Sequence, residues 1–218
     1  MTAERLVIMT DAIYREFLVC VGRAFLQRGL ASGASGNLSL RLPGGNVLMT
    51  PAGCGLGELV PERLSVLDVR GELVAGDRPT KESAMHLACY AARPDCGAVV
   101  HLHSPWATAV SCLADRDPAD AVPALTPYGL MRYGRVALSP YRKPGSLEST
   151  EDMARLMLSH RAVLLRNHGL VIVGGHLKEA ADNAEELEAA CRLSLLLHGQ
   201  AVRLLTPEEQ DALLQKRM

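Results

Sequence analysis

Along residues 10–29 apolar side chains recur at helical spacing. Ile13, Phe17, Leu18, Val21, Ala24, Phe25 and Leu26 fall on one face, which predicts an amphipathic helix stopped by Gly29. The period then changes. After the turn-forming run Ser32-Gly33-Ala34-Ser35-Gly36-Asn37, residues 38–42 read Leu-Ser-Leu-Arg-Leu, the alternation of a half-buried strand. Val47-Leu48-Met49-Thr50 returns as its hairpin partner beyond Pro43-Gly44-Gly45-Asn46. Pro51 to Gly57 is a glycine-rich loop, and residues 64–75 carry two short strands around Arg70-Gly71-Glu72. Thr80 is the predicted N-cap of a helix reaching Ala92. Gly97 to His103 is a strand, and Ser104-Pro105 opens the next helix with Ser at the cap and Pro in the first turn.

Residues 115–127 read as a loop. Ala162–Leu165 and Leu170–Val173 are strands joined through Asn167-His168-Gly169. Residues 177–198 form a long helix, with Ala180, Ala184, Leu187, Ala190, Cys191 and Leu195 on its apolar face. Thr206-Pro207-Glu208-Glu209 has the form of a capping box and starts a last short helix. Helices mixed with hairpins imply a layered α/β fold that is not purely parallel. No internal repeat, low-complexity tract or long linker divides the chain, so one domain over residues 1–218 is expected.

Composition narrows the classes. Of 218 residues 48% are apolar, but only two are Phe, five Tyr and one Trp, so the core must rest on Ala, Val, Leu and Met. Three of the five tyrosines, Tyr128, Tyr133 and Tyr141, crowd one short segment, where they either serve a site or buttress a loop. The formal charge of −1 and the lack of a basic block argue against a nucleic-acid partner. No apolar run approaches the roughly 18 residues that cross a bilayer. Leu6 to Met9 is too short for a signal-peptide core. Six cysteines, at 20, 54, 89, 96, 112 and 191, form no CxxC pair. They read as small buried apolar residues of a reduced, cytoplasmic protein.

The strongest chemical signal is His101-Leu102-His103. On a strand, residues two apart share a face, so both imidazoles can converge on one ion while Leu102 turns to the core; the plain alternative is two hydrogen-bonded histidines. His168, in the rigid Asn-His-Gly turn, is the best candidate for a third ligand. Glu82, in the first turn of its helix, either offsets the helix dipole or serves as an acid/base beside a metal. His86, four residues on, reads as a core residue or a support behind the ligands. His160, His176 and His198 read as solvated. Three segments offer backbone N–H groups to an anion: Ser35-Gly36-Asn37, Thr50-Pro51-Ala52-Gly53 and the helix start at Thr80, with Lys81 adding a cation.

SGNLS at 35–39, MTPAG at 49–53, PTKES at 79–83, VVHLHS at 99–104, PYGLMRYG at 127–134 and RNHG at 166–169 together resemble the class II aldolase/adducin family, over about residues 10–200. The resemblance implies a three-layer α/β/α fold with a central, largely antiparallel mixed sheet, assembled as a homotetramer. It implies one zinc ion per subunit held by His101, His103 and His168. Glu82 would be the catalytic acid/base and an additional ligand when substrate is absent. Gly36, Asn37, Thr50 and Thr80 would bind phosphate, and Tyr128 would enter a neighbouring subunit's site.

Within the family, GDRPTKES, Leu125 to Gly134 and AEELEAACRLSLLL resemble the bacterial 3-oxo-tetronate 4-phosphate decarboxylases. Lys81 stands where sugar-phosphate aldolases carry a small hydroxyl residue, and it would suit an extra negative group on the substrate. The implied reaction is loss of CO2 from a small phosphorylated sugar acid to give dihydroxyacetone phosphate through a metal-stabilised enediolate. The alternatives are a fuculose- or ribulose-phosphate aldolase, a pentulose-5-phosphate 4-epimerase, and a non-catalytic adducin-like module. No membrane or nucleic-acid partner is implied.

Overall fold

A computed structural model describes the backbone of residues 3–215 and the side chains from Asp11 on. Met1, Thr2, Lys216, Arg217 and Met218 lie outside the described residues. The first helix, α1 (Ala3–Gln27), begins upstream of the periodic stretch and ends where expected, ahead of Gly29 in the left-handed conformation (φ 72°). The hairpin follows as β1 (Asn37–Arg41) and β2 (Val47–Met49), and the two short strands are β3 (Ser65–Leu67) and β4 (Leu73–Ala75). Next come α2 (Ser83–Ala92), β5 (Ala98–Leu102) and α3 (Pro105–Ser111). The remainder is α4 (Pro127–Arg132), β6 (Val136–Ser139), α5 (Leu147–Met157), β7 (Ala162–Leu165), β8 (Gly169–Gly174), α6 (Leu177–Leu196) and α7 (Pro207–Gln215).

Among the described residues the strands form one sheet, ordered β4-β3-β2-β1-β5-β8-β7-β6. Pairing is antiparallel except between β6 and β7. A parallel pair needs a crossover connection, and α5 supplies it. Strand alternation sorts the core into two layers. On one face Leu38, Leu40, Val100, Leu102, Leu164 and Ile172 pack against Leu18 and Phe25 of α1 and Ala184 and Leu187 of α6. On the other, Met49, Val99, Val163, Val171 and Val173 pack against Met85 and Cys89 of α2 and Met153 and Met157 of α5. The expected three-layer α/β/α arrangement with a largely antiparallel mixed sheet is present. No helix among the described residues is long and apolar enough to cross a membrane.

Sequence pattern and structure part at several points. α2 begins at Ser83, not just after Thr80. The Thr80 N–H bonds to the Thr50 carbonyl (3.2 Å), and Pro79 bridges Pro51, which holds residues 79–80 extended against the 50–52 loop until Glu82 takes the N-cap. α4, β6 and α5 carried no prediction. β6 has four residues, and α5 buries only Met153 and Met157, so neither displays a full period in sequence. Of the crowded tyrosines, Tyr133 is a core ring (3% exposed), while Tyr128 and Tyr141 are exposed. His176 is not simply solvated: its Nδ1 caps α6 by accepting from the Glu179 N–H at 3.1 Å. The Thr206–Glu209 capping box is formed in both directions.

The start of α3 is capped by a residue far away in sequence. The Ser104 side chain makes no cap bond of its own. Instead the buried Glu188 carboxylate on α6 accepts from Ser104 Oγ (2.7 Å), Trp106 N (2.8 Å) and Ala107 N (2.8 Å). This ties the segment directly after His103 to α6. Glu188→Ala leaves buried donors unpaired, and urea unfolding should show a loss of about 2–4 kcal/mol; an unchanged midpoint would contradict this role.

Candidate active site

Strand β5 supplies the first two ligand candidates. Its alternation sends Leu102 into the core beside α1 and α6 and turns His101 to the α2 side, with His103 just past the strand end. Antiparallel pairing sets His101 opposite Val171 and Leu102 opposite Leu170. The turn entering β8 therefore arrives beside His103. That turn is tight: Asn167 sits at φ 57°, and the His168 N–H bonds to the Leu165 carbonyl at 3.0 Å. Gly169 is pressed against the Leu102 carbonyl where a Cβ would collide, so a side chain there would push His168 away from β5. Glu82, at the N-cap of α2, reaches the same point from the opposite side.

The four side chains meet. His103 Nε2 lies 3.1 Å from His101 Nε2 and 2.8 Å from His168 Nε2. Glu82 Oε2 is 3.2 Å from His101 Nε2, and Oε1 is 3.8 Å from His168 Nε2. One ligand atom from each residue lies within 4.8 Å of every other, a group that can hold a metal ion. His101 Nδ1 is 2.8 Å from the Leu170 carbonyl. A carbonyl only accepts, so Nδ1 donates to it and Nε2 is the nitrogen that faces the cluster. This is the hydrogen bond that commonly orients a metal-binding imidazole. The nitrogen separations of 2.8 and 3.1 Å approach the roughly 3.3 Å edge of a tetrahedron with bonds of about 2.0–2.1 Å. The donor set fits a divalent cation.

Electrostatics keep these groups in the states a metal needs. Burial acts to raise the Glu82 carboxyl, but the neighbouring His101 ring, the Asn37 amide and the His168 ring outweigh it and hold the group well below the usual carboxylate range. Burial, reinforced by the neighbouring imidazoles, pushes His103 down to about 4 and lowers His168. Both therefore stay neutral near pH 7, as metal ligands must be.

Above the cluster lies a cleft of about 340 Å3, lined by Gly36, Asn37, Pro51 to Cys54, Thr80, Lys81, Glu82, Pro144, His103 and His168 among others. Gly36 takes φ 83°, and a Cβ there would stand 3.1 Å from the His101 carbonyl, so the loop can hug the strand only without a side chain. Thr50 is buried behind the wall. Its Oγ1 accepts from the Leu38 N–H at 3.2 Å, which braces the loop rather than lining the cleft. The Asn37 side chain turns inward, donating from Nδ2 to Glu82 Oε2 at 2.8 Å. Lys81 is exposed at the rim. Tyr128, at the start of α4 and about half exposed, does not line this cleft. Pro144 and Cys54 carried no sequence signal; their place on the wall follows from the docking of their loops.

Comparison with known proteins agrees with this geometry. A family model described as the class II aldolase and adducin N-terminal domain matches residues 16–195. A 3-oxo-tetronate 4-phosphate decarboxylase of Haemophilus influenzae is 48% identical over 201 residues, covering 92% of this chain and 96% of that protein. The crystal structure of YgbL from Escherichia coli superposes with a TM-score of 0.92 at 45% identity, covering 94% of this chain and 99% of that one. An L-fuculose 1-phosphate aldolase superposes at 0.85 with 30% identity, over 93% and 94% of the two chains. The chain belongs to the class II aldolase/adducin family.

Proposed function

We propose that this protein is a metal-dependent carbon–carbon lyase that decarboxylates a 3-oxo-tetronate 4-phosphate to dihydroxyacetone phosphate and CO2. The observation that carries the reading is the convergence of Glu82 with His101, His103 and His168 beneath a cleft rimmed by Lys81. The likeness to decarboxylases supports the choice of reaction. Zinc suits three neutral imidazoles with a position left open for substrate. We place the enzyme in the cytoplasm, as a homotetramer in which Tyr128 of the partner subunit completes each cleft.

The chemistry divides among the residues as follows. When bound, the ion supplies Lewis-acid stabilisation of negative charge developing on the substrate oxygens. Gly36 presents its backbone N–H and Thr80 its hydroxyl to the phosphate, fixing the substrate far from the reacting bond. Asn37 lines the phosphate end while its amide holds Glu82, and Thr50 braces the loop beside it. Lys81 attracts the carboxylate. The bond between carbons one and two then breaks, CO2 leaves, and its electron pair stays on carbon two, delocalised toward the carbon-three oxygen. Carbon two must next receive a proton. Glu82 Oε2 is engaged by Asn37 and His101, so Oε1 is the atom placed to carry that proton, with the Tyr128 hydroxyl as a second donor.

Three outcomes check this. Metal-loaded protein given 3-oxo-tetronate 4-phosphate should release CO2 and dihydroxyacetone phosphate in equal amounts. Cleavage of L-fuculose 1-phosphate with no CO2 from the oxo acid would instead make it an aldolase. Alanine at His101, His103 or His168 should abolish metal binding and lower turnover beyond the roughly 10–100-fold loss typical of outer-shell changes; full activity in metal-free protein would refute the metal-dependent mechanism. Lys81→Ser should raise KM for the oxo acid and shift the ratio of decarboxylation to aldol cleavage, whereas Tyr128→Phe should lower kcat with the oligomer intact. An unchanged ratio would remove Lys81 from the site, and unchanged turnover would remove Tyr128.

A further inference from the structure

Behind the cleft, Glu82 and Asn37 continue into buried polar side chains, His86, Ser39 and Tyr90, to which the proposed reaction gives no role. Glu82, His86 and Tyr90 recur every four residues on one side of α2. Asn37 and Ser39 recur every two on the facing side of β1. The two periods interlock. Glu82 Oε2 meets Asn37 Nδ2 (2.8 Å), Asn37 Oδ1 meets His86 Nε2 (2.6 Å), His86 Nδ1 meets Ser39 Oγ (2.7 Å), and Ser39 Oγ meets the Tyr90 hydroxyl (2.8 Å). Arg41, next on the same strand face, closes the line by donating to the Tyr90 carbonyl (3.2 Å) and lying over its ring. Ser39 and His86 are fully buried, and Asn37 and Tyr90 nearly so.

The chemistry of each atom dictates one direction for the whole line. Asn37 Nδ2 can only donate, so it must face the carboxylate, and Oδ1, which can only accept, faces His86. His86 Nε2 must therefore carry the ring proton. Nδ1 is then an acceptor, Ser39 must donate to it, and Tyr90 must donate to Ser39. Burial supports the neutral ring this requires. A reversed His86 tautomer would set a lone pair against Asn37 Oδ1 and favour a flipped amide, which would place Oδ1 against Glu82.

We infer that His86 is a positioning residue: through Asn37 it fixes the orientation of the Glu82 carboxylate, holding Oε2 back and leaving Oε1 to the cleft. The inference rests on Glu82 being the proton carrier of the proposed lyase. Its purpose is specific to a mobile acid/base. A carboxylate free to rotate would present either oxygen, and a misplaced proton carrier costs rate even where substrate still binds. Single-bond side chains such as Glu have such freedom unless a partner removes it, and the buried line removes it without occupying the cleft.

The experiment joins 15N NMR of the histidine rings with kinetics of the metal-loaded protein. Wild type should show His86 only as the Nε2–H tautomer. His86→Leu should lower kcat roughly 10–100-fold, the range for groups that orient a reacting ligand, with KM little changed. His86→Gln, whose amide can donate to Asn37 and accept from Ser39, should recover most of that loss. If His86→Leu fails to fold, Ser39→Ala, which removes the donor to Nδ1 together with the acceptor of the Tyr90 hydroxyl but keeps the His86 ring, should lower kcat in the same way with the metal retained. An Nδ1–H tautomer, or variants that equal wild type in kcat, would overturn the inference, as would His86→Gln being no better than His86→Leu at equal thermal stability. The tautomer needs no turnover, so an inactive wild type with His86 as Nε2–H would sink the proposed function and leave the line standing.

Discussion

Three imidazole nitrogens and a carboxylate gathered within 4.8 Å form an arrangement that needs a positive charge at its centre. His101 Nε2 points inward because Nδ1 is committed to the Leu170 carbonyl. Lone pairs facing one another at 2.8 and 3.1 Å repel unless a proton or a cation sits between them. Burial disfavours the proton on His103 and His168. A divalent ion resolves the conflict, and much of the local structure can be understood as holding the four groups where it does so.

The fold achieves this with rigid parts. Backbone pairing of β5 with β8 fixes His101 and brings in the turn carrying His168, and the 50–52 loop stops α2 from starting early, so Glu82 lies at a helix end. Taking a carboxylate out of water is costly, several kcal/mol even after relaxation, and hydrogen bonds from Asn37 together with the histidines offset that cost. The balance favours the ionised form because three favourable partners act on one group. The same reasoning explains Glu188. Buried on α6, it is tolerable only because three donors at the start of α3 meet it, and it thereby anchors the segment that leaves His103.

Much of the site could be read from the sequence. The two-residue spacing of His101 and His103 sufficed to put them on one face once a strand was inferred, and the Asn-His-Gly turn marked His168 as rigidly held. What escaped depends on contacts distant in the chain. Nothing near Ser104 announces that Glu188 will cap its helix. Thr80 has good capping chemistry locally and reads as the start of α2, but its N–H is claimed by the Thr50 carbonyl and the helix begins at Ser83. Asn37 reads as a phosphate-loop residue; that its side chain also reaches Glu82 and His86 needs both the β1–β5 register and the packing of α2. The short elements from Pro127 to Met157 were silent because tertiary pairing, not periodicity, defines them.

The chemistry of the site depends on the metal centre. X-ray absorption on the zinc-loaded protein reads it directly. It should show one ion per chain with the multiple scattering of three imidazoles and oxygen in the remaining positions, and that signature should vanish in His168→Ala. Sulfur ligands, or fewer than three imidazoles in the native protein, would contradict it.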